Sequence, residues 1–444
     1  MTGAIIFCSL MQTAGVRQGS ASTQPATSPG SVRALDVGAR FESPVAWLLT
    51  IYATSTLFST AALSISLWSL VLIYIWLRLS RKCGVLDWNV LRSGPPLALY
   101  VIWCLQGVFF GTSPGTTFRN LGEVQRFFVP MLMRPLGAGR SVMTKVVPAL
   151  FCTSALAAAY AIGQAMAFGV DRPRGLSSGP TFLAALLVTT ASMFVAHVLF
   201  DRNGWRYSLC LWSGLAITVA GVIVTQTRSA LLGIAAGAVV GLCLPERGRV
   251  RFVWPTALRV AVLLVAVAVV AIAARNGIVA RLRAGANLNE PGTQYRLLAW
   301  KASLLMMRDH PLAGVGRFCF TPAHERYSRP EEGRKPDAEC NVVTLGAELG
   351  IPGIVAYVWL MVRLLVTLHG RTSLFPEPGP ERAFLMGTGL ATVAFIVTGM
   401  TINNWSYLMA SSLWWFLLGL ASRIGEEGDC DTPPSATDLE VRRP

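Results

Sequence analysis

Five stretches of this 444-residue chain, Val146–Gly169, Thr181–Phe200, Tyr207–Val224, Trp254–Ala274 and Ala383–Ile402, are apolar for about the 20 residues that a helix needs to cross a bilayer. At that depth no water is available to the backbone. Each stretch must therefore satisfy its own N–H and C=O groups, which makes it helical. The fold class that follows is all-α and polytopic. Composition agrees, because charged residues are 14% of the chain against roughly 25% in a soluble domain.

Weaker runs complete about twelve expected transmembrane helices, at 44–60, 61–79, 95–111, 122–137, 146–169, 180–200, 207–226, 228–244, 254–274, 350–368, 383–402 and 405–421. The first two are nearly continuous, and the fourth is short and interrupted by Pro130. Residues 1–43 read as a disordered tail, because Thr13–Gly38 is rich in Ser, Thr, Gly, Pro and Gln without a period. Ala4–Leu10 is too short for a span and no basic segment precedes it, so a signal peptide is not expected. Residues 422–444, with Pro433 and Pro434, read as a second disordered tail.

Basic residues set the expected orientation. Arg78, Arg81, Lys82 and Arg92 follow span two, Arg140 and Lys145 span four, and Arg202 and Arg206 span six. Arg247, Arg249 and Arg251 follow span eight, and Arg371 and Arg382 span ten. Every even-numbered exit is basic, which places those connections and both termini in the cytoplasm. The segment with Arg172 and Arg174 runs mildly against the alternation. One long loop, 275–349 between spans nine and ten, then lies outside. It carries eleven Lys or Arg against eight Asp or Glu, but long loops escape the positive-inside rule, so this charge is no orientation signal. It suits either membrane lipid headgroups or an anionic ligand; nucleic acid is not an expected partner.

Three segments converge on that outer side. Thr225–Gly233, TQTRSALLG, puts Arg228 at a helix start, where an arginine can also snorkel to the headgroups. Tyr295–Phe320 begins as a helix with Arg296 and Trp300 one turn apart on one face, then breaks at Asp309–Pro311 and Gly314–Gly316. An interfacial helix anchored by Trp300 is the plainer reading of this segment. Asp337–Gly353, DAECNVVTLGAELGIPG, leads into span ten through Gly350, Pro352 and Gly353.

Together these segments resemble the O-antigen ligase and O-antigen polymerase superfamily of bacterial envelope proteins, over roughly Arg174–Leu368. RGLSSGPTFLAALL at 174–187 is similar to the family's glycine-bearing run before a span. The resemblance implies a glycosyltransferase of the inner membrane. It would move a saccharide from a polyprenyl-diphosphate carrier to a glycan or lipid A core acceptor, with no metal, nucleotide sugar or other cofactor. Arg228 and Arg296 would hold the diphosphate, with Lys301 and Asn341 as further substrate contacts. The chemistry suits arginine, whose planar guanidinium keeps its charge and offers paired donors to phosphate oxygens.

The chain departs from the family at the catalytic base. Counted back from Glu348 and Gly350 without a gap, the family's histidine position holds Glu339, and Cys340 replaces the following asparagine. With a one-residue gap, Cys340 replaces the histidine and Asn341 matches the asparagine. The ungapped register is preferred, because an insertion would rotate the entry helix, and the missing histidine favours a polymerase-like member over a ligase. By residue type alone Glu339 reads as a solvated loop charge; the resemblance raises it to a candidate base. Cys319 and Cys340 are the two cysteines expected in the outer loop, where an oxidising compartment permits a disulfide. A flippase for lipid-linked saccharides and a non-catalytic assembly partner remain as alternatives. The flippase calls for paired charges or broken helices at mid-membrane, where these spans hold few acids.

Overall fold

The structure, a computed structural model, describes residues 32–80, 83–201, 204–243, 291–328 and 337–430. All regular structure among them is helical. In chain order the helices are α1 (Val32–Ser55), α2 (Thr60–Leu79), α3 (Gly94–Phe110), α4 (Pro114–Asn120), α5 (Phe128–Met133), α6 (Arg140–Phe168), α7 (Pro180–Phe200), α8 (Trp205–Val224), α9 (Arg228–Cys243), α10 (Pro291–Asp309), α11 (Phe320–Tyr327), α12 (Asn341–Thr372), α13 (Pro380–Gly399) and α14 (Leu408–Cys430). Short 3-10 turns occupy Val90–Arg92 and Leu121–Phe127.

Each expected span has a helix at its place except 254–274, which lies outside the described residues. Among the described residues six helices are long and apolar enough to cross a membrane: α2, α6, α7, α8, α12 and α13. Shorter apolar helices cover Gly94–Phe110, Val124–Met133, Arg228–Gly241 and Leu408–Ile424. This is a multi-pass membrane protein. Two edges differ from expectation, since α1 already begins at Val32 and α14 continues to Cys430. The run expected as span four is a 3-10 turn joined to the six-residue α5, which contains Pro130. Arg126 interrupts the same run. It is buried and donates to the Trp405 carbonyl at 2.5 Å and to Ser411 Oγ at 2.7 Å.

The helices have two distinguishable ends. At one, Arg140 pairs with Glu381 at 2.7 Å, Arg423 Nε donates to the Ala138 carbonyl at 3.2 Å, and Arg371 reaches the Ser422 carbonyl. The basic connections after spans four and ten therefore lie at one end, beside the last helix. The opposite end holds the α7 start, the α8–α9 corner and the turn between α13 and α14. Helix α9 reaches that end by close packing on α13: a Cβ at Gly233 would lie 2.7 Å from Thr398 Cγ2. Small residues permit such approach where no hydrophobic effect drives helices together.

Beneath this end lies an aromatic core. Trp405, 1% exposed, packs edge-on against Tyr100 and Tyr357, each with ring centroids 5.3 Å away. Its indole N–H donates to Tyr100 Oη at 2.8 Å, which satisfies the one polar atom that burying the ring would otherwise strand.

Candidate active site

The segment between spans nine and ten is largely helical where it is described, and two elements of it, with the start of α12, build the site. Helix α12 is two pieces joined at Gly350, whose φ of 69° no L side chain adopts cheaply. A Cβ there would also lie 2.5 Å from the Pro311 carbonyl oxygen. Pro352 falls in the first turn of the second piece, where its missing N–H costs nothing. The break strands carbonyls at the end of the first piece, and the chain at 311–316 satisfies them. Val315 N–H donates to the Ala347 carbonyl and Gly316 N–H to the Glu348 carbonyl, both at 2.9 Å, while Ile351 N–H donates to Pro311 at 2.8 Å. The same segment is tied to α3 by Trp103 Nε1, 2.8 Å from the Leu312 carbonyl, and by Gln106 Nε2, 2.7 Å from the Ala313 carbonyl. These bonds account for the spacing of the ELGIPG run.

Glu348 turns inward from the first piece onto Arg317, and their side chains are 4% and 1% exposed. Arg317 also donates to Ser406 Oγ at 3.0 Å and lies over the Phe318 ring at 4.2 Å. One buried pair thus joins α12, the start of α11 and the α13–α14 turn.

That turn supports the segment before α12. Asn403 Nδ2 donates to Asp337 Oδ2 at 3.1 Å, and Asp337 Oδ1 accepts the Glu339 N–H at 2.7 Å. Burial pushes the Asp337 carboxyl above the usual range, and these two donors partly offset it. The Asp337 bond is a local side-chain turn that holds Glu339 at φ 50°, a conformation unusual for glutamate. Gln226 and Phe318 adopt positive φ at the same end. Such outliers concentrate at functional sites.

Glu339 meets α10. Arg296 Nε donates to Glu339 Oε2 at 2.6 Å, and Trp300 Nε1 donates to the Ala338 carbonyl at 2.9 Å, so the predicted Arg296–Trp300 face lies against residues 338 and 339. Arg296 and Glu339 are 36% and 35% exposed. An ion pair at that exposure contributes about 0–1 kcal/mol, whereas removing one partner of a buried pair such as Arg317–Glu348 costs about 3–5 kcal/mol. The first pair can be exchanged for another ligand; the second is a fixture. Tyr407 completes the wall. It stacks on Phe182 of α7 at 4.0 Å, and the nearby carboxylates of Asp337 and Glu339 add to burial in raising its phenol above the ordinary range.

The structure therefore brings together Arg296 and Glu339 among the expected residues. Arg228 starts α9 at the same end, partly exposed, and makes no hydrogen bond to that pair. Lys301 is exposed and, five residues beyond Arg296, points about 140° away round the helix. Asn341 corrects an expectation. It is 1% exposed, with its amide N–H donors on Tyr357 Oη (3.1 Å) and Asn404 Oδ1 (2.7 Å) and its oxygen on the Trp405 N–H (3.1 Å). It fastens α12 to the α13–α14 turn and has no donor left for a substrate. The disulfide that an oxidising compartment would permit between Cys319 and Cys340 is not formed; both are free, buried thiols. Cys319 Sγ is engaged by Thr117 Oγ1 at 3.2 Å and the Ser113 carbonyl at 3.3 Å, and Cys340 occupies the N-cap position of α12 without a side-chain capping bond.

Asp337, Arg317, Asn403 and Tyr407 were not singled out from sequence. Only Asp337 left a local trace, an acid two residues before another in DAE. Residues 213–358, from α8 into α12, match the family model described as O-antigen ligase. That segment contains Arg228, Arg296, Arg317, Glu339 and Glu348. No curated protein matches the chain.

Proposed function

We propose that this membrane protein, similar to O-antigen ligases over residues 213–358, transfers a saccharide from a polyprenyl-diphosphate carrier to a glycan or lipid acceptor, with a polymerase that extends a growing glycan preferred over a ligase that loads a lipid A core. The observation that carries the reading is the Arg296–Glu339 pair, 2.6 Å apart and partly exposed at one end of the helices. It sets a phosphate-binding cation beside a candidate base.

Arg296 and Arg228 hold the diphosphate, whose negative charge grows as the glycosidic bond breaks. Two guanidinium groups close to lipid, where water screens poorly, stabilise that charge by several kcal/mol. They supply the positive charge directly, so the reaction calls for no metal. Glu339 accepts the proton of the acceptor hydroxyl, in place of the histidine of the resembling family. The preference for polymerase rests on that replacement. Tyr407 and Phe182 wall the space beside the two groups.

Arg228→Lys and Arg296→Lys test the arginines. Lysine keeps the charge but is a point donor that cannot make the forked contact. Each variant is expected to lose most transfer at unchanged protein level; normal transfer in both would assign these arginines to headgroup contacts instead. The reading places the site on the outer face of the inner membrane and both termini in the cytoplasm. In intact cells an impermeant thiol reagent should then label Lys301→Cys and spare Arg206→Cys. The reverse pattern would contradict the orientation.

A further inference from the structure

We propose that the Arg296–Glu339 ion pair is a latch opened by the donor's diphosphate, so that the base becomes available only when donor is bound. The inference rests on the proposed roles of Arg296 in binding diphosphate and Glu339 in accepting the proton. Those two roles compete, because Arg296 Nε already donates to Glu339 Oε2, one of the two oxygens that could take a hydroxyl proton, and protonating either would forfeit the ion pair.

Three observations favour exchange over a permanent pair. Both partners are about one-third exposed, so a ligand can reach them and their mutual attraction is weak. A diphosphate offers several anionic oxygens to one guanidinium and forms charge-assisted, paired contacts that a single carboxylate oxygen does not match. The backbone under Glu339 is held independently of Arg296, by the Asp337 bond to the Glu339 N–H and by the Trp300 bond to the Ala338 carbonyl. Losing the pair therefore frees the carboxylate without moving its anchor. The same end holds a contrasting Arg–Glu pair, Arg317–Glu348, which burial makes permanent.

In the resulting sequence, diphosphate draws Arg296 away and uncovers Glu339. The acceptor hydroxyl then gives its proton to Glu339, and its oxygen bonds to the anomeric carbon. The anomeric C–O bond to the diphosphate breaks, and its electron pair leaves on the diphosphate held by the arginines. Without donor the carboxylate stays paired, which protects the site against activating a stray hydroxyl. Donor binding therefore precedes acceptor activation.

The test is carboxylate labelling of the full-length protein in detergent with a water-soluble carbodiimide and an amine, quantified at Glu339 by mass spectrometry. The probe is a long-chain polyprenyl diphosphate carrying no sugar; polyprenol and phosphatidylglycerol are the controls. Labelling is expected to rise several-fold with the diphosphate and with neither control. Arg296→Gln should be labelled at the raised level without lipid and respond to none. Unchanged or reduced wild-type labelling with the diphosphate would overturn the latch, and so would an equal rise with phosphatidylglycerol, since any anionic headgroup would then open it. Because labelling needs no turnover, the two readings separate. A diphosphate-dependent rise beside a fully active Glu339→Gln keeps the latch and removes the base, and an unchanged signal beside an inactive Glu339→Gln does the opposite.

Discussion

Glu339→Gln is expected to lower transfer about 100- to 10,000-fold, the range that loss of a general acid–base group costs, while insertion and donor binding persist. The amide keeps the size of the side chain and an oxygen toward Arg296, but it takes up no proton. Stability should change little, because the pair is one-third exposed and worth about 1 kcal/mol at most. Glu339→His should recover part of the activity, since imidazole is the base of the resembling family. Cys340→Ser is the control for the alternative register. The thiol is buried at the helix start, and serine is a better cap there, so transfer should be unchanged. Full activity in Glu339→Gln with a defect in Cys340→Ser would move the base to the thiol.

The largest stability effect is expected at the buried pair. Arg317→Gln or Glu348→Gln leaves one charge without its counterpart in an apolar setting, at a cost of about 3–5 kcal/mol. Both should lower the thermal midpoint in detergent and the amount of protein in the membrane. The paired replacement Arg317→Met with Glu348→Leu removes both charges and should regain much of that stability, because an apolar pair of similar volume needs no desolvated ions. It should not regain transfer. Without Arg317 the Ser406 contact is lost, and with it one support of the turn that carries Asn403 to Asp337 beneath Glu339. Midpoints within a degree or two of wild type in the single variants would show the pair to be incidental.

How far the sequence could be read depended on how local each signal was. The expected span 180–200 coincides with α7, Pro180–Phe200, because a long apolar run between Gly179 and Asp201 has no other use in lipid. The basic charge at every second connection likewise anticipated that Arg140 and Arg371 lie at one end. By contrast, the run at 122–137 reads as a weak span because it is short and Pro130 interrupts it, and its shape depends on the partners of Arg126 at Trp405 and Ser411. Helix α10 carries Arg296 and Trp300 at a spacing that sequence exposes, so that face could be read.

What bound that face could not be read. The contacts of Arg317 span 31 residues to Glu348 and 89 to Ser406, and no period or composition signals bonds of that separation. Asn341 misled for a related reason. An asparagine next to a candidate base invites a ligand role, yet its amide is consumed by Tyr357, Asn404 and Trp405, each remote in sequence. A bridge between Cys319 and Cys340 was open by compartment alone, and the bonds of Cys319 to Thr117 and Ser113 show that its sulfur faces α4 and its approach.

The central claim is that the protein breaks a glycosidic bond to a lipid diphosphate and makes a new one. Its most direct measurement uses the purified full-length protein in vesicles, given a radiolabelled saccharide on a polyprenyl-diphosphate carrier and no nucleotide sugar. The account predicts that the label moves into longer saccharides still joined to carrier, with one polyprenyl diphosphate released per bond formed. Label that crosses to the other leaflet with every glycosidic bond intact would contradict it and make the protein a transporter of the same lipid.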